Sequence, residues 1–233
     1  MNELIESILR LGSRDVASEE AACDAFVALR FPKGVACPCG APCTRDLAIV
    51  TCSRRHTFTI LVDTPFASKR RPRVRALFLA IRAFAVSPRS VSAREIARDV
   101  NAPHATIWRH LLTLRALLPP PVAKPPDDVA AVQLCGRHSK AKPAWVRVGV
   151  PFAMTRELVE PTSSTEGRML AESIRTRLNG TFHGVTARWL PAYLDEALAR
   201  WRSGVGVAAW LVEHLLDVGR PLTFRAVRRH FAR

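Results

Sequence analysis

The feature of this sequence with the longest structural reach is a corner at Asn101-Ala102-Pro103. Residues 92–118 read SAREIARDVNAPHATIWRHLLTLRALL, with Ile96 and Val100 at helical spacing before the corner and Ile107, Leu111 and Leu114 after it. Helical periodicity that stops at Asn-Ala-Pro and then resumes predicts two short helices burying one face against each other, with these three residues as the turn. A helix-turn-helix of this kind places the first residues of its second helix in the DNA major groove. With Ile107, Leu111 and Leu114 turned inward, His104, Ala105, Thr106, Arg109 and Leu112 fall on or near the other side. Arg109 is the foremost candidate for a base edge or a phosphate, with His104 and Thr106 beside it. Trp108 is either a flank of the core or a sugar-phosphate contact. An ordinary helical hairpin shares the periodicity, so charge has to separate the two readings.

The chain carries 35 Lys and Arg against 20 Asp and Glu, a formal net charge of +15. Such a surplus concentrates a polyanion at the protein surface. It is unevenly spread: residues 1–62 hold 7 basic and 7 acidic side chains, residues 63–118 hold 11 against 3, and residues 119–233 hold 17 against 10. The peak falls on the paired helices and on SKRRPRVR just before them. There Lys69, Arg70, Arg71 and Arg73 are candidates for phosphate contact, and the expected partner is double-stranded DNA. The Arg-rich FRAVRRHFAR near the end of the sequence reads as a solubilising segment.

A second cluster concerns metal. Cys37-Pro38-Cys39-Gly40 is a compressed knuckle, Cys43 follows it, and Cys52 with His56 four residues later forms a degenerate second knuckle. Cysteines gathered in one short stretch of a cytosolic chain favour metal over disulfides. A zinc ribbon presents four donors tetrahedrally, and here Cys37, Cys39, Cys43, Cys52 and His56 compete for the four positions of a structural zinc. A ribbon that keeps its shape without metal is the alternative. Cys23 and Cys135 stand apart and read as small buried apolar residues.

Around these motifs the chain divides as follows: 1–30, N-terminal helices; 31–66, a zinc-ribbon-like β unit; 67–118, the helix-turn-helix; 119–126, a stiff linker, PPPVAKPP; and 127–233, a second domain. Within the first two, SEEAACDAFVALRFPKG reads as a helix capped by Ser18 and stopped by Pro32 and Gly34. LAIVTC and HTFTILV have strand character, and 73–86 is helical. In the second domain VAAVQLC and AWVRVGVPFAM read as strands, EGRMLAESIRTRL and WLPAYLDEALARW as helices. The opening segment MNELIESILRLGSRD has acids in its first turn and no long apolar run, unlike a secretory signal. ALFLAI is too short to span a bilayer. A cytoplasmic, nucleoid-associated location with no membrane partner is the expectation.

Taken in order, SEEAACDAFVALRFPKGVACPCG, HTFTILVDTPFASKRRPRVRALFLAIRAF, the 92–118 stretch, LNGTFHGVTARWLPAYLDEALARW and RPLTFRAV resemble the small bacterial insertion-sequence transposases of the ISXO-like group. The resemblance covers most of the chain. It implies an α+β protein: a zinc-ribbon-like unit and a helix-turn-helix, followed by a truncated ribonuclease-H-like α/β remnant with C-terminal helices. It also implies that catalysis would need three carboxylates holding two divalent metals. Ala130 stands where the first Asp belongs, and no aspartate occurs between Val129 and Ser164. The third position falls on Arg168, or on Glu166 if two residues are inserted. Ala130 and Glu166 are only 36 positions apart, too few for the full set of elements.

The expected function is therefore that of a transposase-derived, domesticated DNA-binding protein, with no catalytic magnesium and no catalytic residues. An active strand transferase using Glu166 with a rearranged Asp127 and Asp128 is the alternative. A further alternative is an interaction module whose C-terminal domain meets a protein partner or a second copy, with VAAWLVEHLL as the interface. No Gly-rich phosphate loop, nucleophile elbow or suitably spaced carboxylate pair suggests another chemistry.

Overall fold

A computed structural model describes residues 16–67, 72–87, 90–118, 130–134, 144–148, 153–155, 165–178, 189–203, 226–227 and 229. Lys69, Arg70, Arg71, Asp127, Asp128, Cys135, the opening segment, the proline-rich linker and the 207–216 segment lie outside the described residues.

Helix α1 (Glu19–Arg30) begins as its sequence dictates: the Ser18 hydroxyl accepts the Ala21 amide at 3.0 Å, and Glu19 and Glu20 occupy the first turn. It ends before Pro32, and Gly34 turns the chain at φ +87°. Next come β1 (Cys43–Asp46), β2 (Ile49–Cys52) and β3 (Thr57–Thr59), an antiparallel meander. The β1–β2 hairpin turns through Leu47, held at φ +51°, and pairs Asp46 with Ile49. Strand β1 is not expected from the sequence, and HTFTILV supplies only three strand residues. Its remainder turns inward, burying Ile60 and Leu61 completely or nearly so.

Helices α2 (Val74–Val86), α3 (Ala93–Asp99) and α4 (His104–Ala116) pack against one another. No side chain of its own caps α2. Instead Glu19 of α1 reaches it, accepting the Val74 amide through Oε1 and the Arg75 amide through Oε2 at 3.3 Å. A carboxylate at a helix N-terminus satisfies orphan amides and complements the dipole. The join is reinforced by Arg75, which donates to the Val16 carbonyl at 2.8 Å and the Val100 carbonyl at 3.2 Å, and by Phe26 edge-on to Phe78 at 5.9 Å. One apolar cluster consequently runs from Val16 through Val50, Ile60, Leu77, Phe84 and Ile96 to Leu118, shared by α1, the sheet and the three helices. Cys23 is fully buried within it, as its isolation in the sequence suggests.

Farther along, β4 (Ala130–Leu134), β5 (Ala144–Val148) and β6 (Ala153–Thr155) form a second antiparallel meander, and α5 (Thr165–Thr176) packs on β4. The apolar stretch AWVRVGVPFAM thus divides between β5 and β6 instead of forming one strand. Helix α6 (Leu190–Ser203) packs against α4 and α5. Among the described residues, two three-stranded sheets and six helices make the chain α+β, and no helix is long and apolar enough to cross a membrane.

The contact of α6 with α4 centres on an ion cluster that the sequence does not disclose. The Glu196 carboxylate, fully buried, accepts from Arg115 Nε at 2.7 Å and from Arg200 Nε at 2.9 Å. Arg200 also donates to the Phe84 and Ser87 carbonyls at 2.6 and 2.8 Å, closing the C-terminal end of α2. The Arg115 guanidinium lies 4.1 Å from the Tyr193 ring centroid, and that of Arg200 lies 4.7 Å from the Phe84 centroid. Burial raises the Glu196 carboxyl, but Arg115 and Arg200 outweigh it and hold the pKa below the usual carboxylate range. The cluster is ionised and ties α2, α4 and α6 together.

Candidate functional site

Two local arrangements carry chemistry. The first is built by the ends of the short sheet. In Cys37-Pro38-Cys39-Gly40 the chain reverses through the Gly40 amide, which donates to the Cys37 carbonyl at 2.9 Å, with Gly40 at φ +74°. A residue with a Cβ is strained there, which is why glycine follows the second thiol. After β2, the Arg55 amide donates to the Cys52 carbonyl at 2.8 Å with Arg55 at φ +64°, and the Cys52 amide donates to the His56 carbonyl at 3.0 Å. The His56 amide in turn points at Cys52 Sγ, 3.4 Å away. Two tight turns thereby bring Cys37, Cys39, Cys52 and His56 together, with all four donor atoms within 4.8 Å of one another.

Cys43, the fifth candidate, falls outside this set: its thiol donates to the Ala41 carbonyl at 3.6 Å. It opens β1, whereas Cys37 and Cys39 come from the turn before that strand, Cys52 ends β2 and His56 lies in the turn that follows it.

The donor spacing can be compared with what a tetrahedral zinc demands. Zn–S of about 2.3 Å and Zn–N of about 2.05 Å imply neighbouring sulfurs about 3.8 Å apart and a sulfur and nitrogen about 3.6 Å apart. Cys39 and Cys52 sulfurs are 3.8 Å apart, Cys37 Sγ and His56 Nδ1 3.5 Å, and Cys37 and Cys39 sulfurs a tighter 3.2 Å. Three thiols and an imidazole at these separations fit a divalent, thiophilic ion. Without an ion, crowding divides the protons unevenly. The Cys39 amide lowers the Cys37 thiol, but its neighbours Cys39 and Cys52 together with burial prevail and push it up to about 11. Burial raises Cys52, while the His56 and Arg54 amides and the neighbouring thiols more than offset it and hold it below the usual thiol range. A bound cation would take the place of those protons.

The second arrangement is the α3–turn–α4 corner. Ser92 caps α3, and the chain turns through Asn101 at φ +48°, a left-handed conformation that asparagine tolerates. Pro103 then opens α4. Ile107, Leu111 and Leu114 are buried, as their spacing predicts. Leu112 is a correction: its spacing from the inward set puts it on the open side, yet it is fully buried. Trp108, Leu112 and Arg115 succeed one another at i, i+4 and i+7 and form a stripe of their own. Arg115 meets Glu196 of α6, and Trp108 packs edge-on against Trp189 with centroids 5.1 Å apart. Trp108 is therefore a flank of the core. Two faces of α4 are covered toward its C-terminal end, and His104, Ala105 and Arg109 stay exposed near its start, with Thr106 half-buried beside them.

Arg73 is exposed at the N-terminal end of α2. Arg75 and Arg115 belong to the fold's own hydrogen bonding, which removes two cations from the charge peak. Arg94 and Arg98, exposed on α3, are two cations that reasoning from the sequence misses. Their signal is present in the same charge count. Ala130 opens β4 and Glu166 lies in the first turn of α5, where Arg168 is exposed. No protein family, curated protein or solved structure matches this chain.

Proposed function

We propose that this chain binds double-stranded DNA through the start of α4, is built on a zinc-stabilised ribbon, and descends from a transposase whose strand-transfer activity it has lost. The observation that carries the reading is the selective exposure of α4. Its C-terminal end is locked between α2, α3 and α6, while its first turn and a half buries Ile107 and keeps His104, Ala105 and Arg109 exposed. A recognition helix needs a rigid base and an open, cationic N-terminal end, because base edges in the major groove are read by side chains held in register by backbone contacts. Arg94 and Arg98 on α3 and Arg73 at the start of α2 supply phosphate contacts, together with Lys69, Arg70 and Arg71, which precede Arg73 in the sequence. The zinc acts structurally, holding the two turns of the small sheet.

Loss of catalysis follows from the resemblance. The methyl group of Ala130 cannot ligate a metal, and Glu166 alone is a poor match for Mg²⁺, which dehydrates reluctantly and is held mainly through carboxylates.

Neutralising Lys69, Arg70, Arg71 and Arg73 together and titrating labelled duplex at several salt concentrations tests the reading. Binding should weaken on all sequences, and the dependence on salt should flatten by roughly 0.9 in log–log slope for each phosphate no longer neutralised. Unchanged affinity and slope would refute the assignment. Supercoiled plasmid should stay intact in Mg²⁺ or Mn²⁺ at saturating protein. Metal-dependent nicking abolished by Glu166→Gln would establish an enzyme.

A further inference from the structure

We infer that Cys43 is the redox partner of Cys52, and that a peroxide joins the two in a disulfide that withdraws Cys52 from the four-donor site and releases its metal. This rests on the reading of that site as metal-binding.

The register of the hairpin places Cys43 directly opposite Cys52. The Ser53 amide donates to the Pro42 carbonyl at 3.0 Å, just outside the pair, while the Cys52 amide turns away to the His56 carbonyl at 3.0 Å. Cys43 and Cys52 therefore form a non-hydrogen-bonded pair, the kind in which opposing Cα atoms approach to about 4.5 Å and the side chains share one face. That separation lies within the roughly 4.4–6.8 Å a disulfide spans. Residues at such a position become linked with little backbone movement.

The two sulfurs differ in what occupies them. Cys52 belongs to the metal-ligating set and is buried; Cys43 is outside the set and half-buried, its thiol donating to the Ala41 carbonyl at 3.6 Å. With metal bound, Cys37, Cys39 and Cys52 share their electron pairs with the ion, and Cys43 is the neighbouring thiol left to meet an oxidant. Cys43 attacks one oxygen of hydrogen peroxide; the O–O bond breaks, a sulfenic acid forms, and the leaving hydroxide takes the thiol proton to become water. Cys52 sulfur then attacks the sulfenic sulfur. The S–S bond forms, the S–O and metal–sulfur bonds break, and hydroxide leaves, taking a proton from solvent as the second water. Two thiol sulfurs have lost two electrons and one peroxide has gained them. Cys37, Cys39 and His56 remain as three donors, an open set from which the ion escapes to a competitor.

The test uses the full chain, with metal content measured first. Hydrogen peroxide is added in the presence of a chromogenic zinc chelator, and the products are mapped by mass spectrometry of non-reduced peptides. Wild-type protein should release its metal together with formation of a Cys43–Cys52 linkage. Cys43→Ala should bind metal as the wild type does and release it much more slowly under the same oxidant. Wild-type release kinetics in Cys43→Ala, or a map showing Cys37–Cys39 or Cys39–Cys52 instead, would overturn the inference. If the unoxidised chain holds no metal, the metal reading fails, and the peptide map alone decides the pairing: a Cys43–Cys52 linkage supports it and any other overturns it.

Discussion

Replacing Glu196 by glutamine removes one charge from the centre of the molecule and leaves its shape intact. Arg115 and Arg200, 1% and 7% exposed, then face each other across a neutral amide whose single oxygen accepts from one of them while its NH2 group meets the other. Breaking a buried ion pair by neutralising one partner costs about 3–5 kcal/mol, because the remaining charge has no water to return to. Here two guanidinium groups lose the same counter-charge. Arg200 keeps its bonds to the Phe84 and Ser87 carbonyls, which offset part of the loss, so a value near about 4 kcal/mol is expected. With a urea m-value of about 2 kcal/mol/M, the midpoint of unfolding followed by far-ultraviolet circular dichroism should fall by about 2 M. Glu172→Gln is the matched control. Its carboxylate pairs with Arg175 at 2.7 Å on the surface, with both side chains more than half exposed, and its loss should leave the midpoint unchanged within error. If Glu196→Gln shifted the midpoint no more than Glu172→Gln, Glu196 would not be buried between α4 and α6, and the rigid base attributed to α4 would go with it.

Three further outcomes are expected. Burial pushes the His110 imidazole down to about 4, with its Nε2 enclosed and unpartnered among the described residues and its ring edge-on to Phe66 at 5.7 Å. The neutral form is favoured in the folded state, so its contribution is fully present above about pH 6.5 and is lost as pH falls from there toward about 4. It amounts to at most about 3 kcal/mol, and urea titrations of His110→Leu across this window should show a correspondingly flatter pH dependence. Zinc should be found near one equivalent per chain by elemental analysis, and chelation should unfold the β1–β3 unit as judged by amide exchange. Glu19→Ala should lower the thermal midpoint by the equivalent of about 1 kcal/mol, since Glu19 caps α2, whereas Glu20→Ala should not.

How far the sequence discloses this structure depends on the reach of each interaction. The span of α1 is legible because its signals are local: Ser18 accepts from a residue three positions on, and Pro32 and Gly34 follow the last turn. The corner at Asn101 and the inward set Ile107, Leu111 and Leu114 are legible for the same reason. Of the metal candidates, the sequence supplies five, and only the folded turns separate Cys43 from the other four. Strand spacing, not ligand spacing, decides its position. Leu112 is misplaced and Trp108 left open because the stripe they share with Arg115 meets Trp189 and Glu196, about 80 positions later, and one periodic face predicts only one partner. Arg115 and Glu196 stay hidden for a related reason: a charge in a basic segment reads as surface until its partner, 81 positions away, is seen beside it.

The most direct test of DNA recognition by α4 is the equilibrium affinity of the full chain and of Arg109→Ala for a duplex recovered by selection from random sequence, measured by fluorescence anisotropy beside an unrelated duplex of equal length. The wild type should prefer the selected duplex, and Arg109→Ala should lose about 1–3 kcal/mol on it with little change on the unrelated one. Failure of selection to enrich any sequence, or an Arg109→Ala variant that binds both duplexes as the wild type does, would contradict recognition through the start of α4.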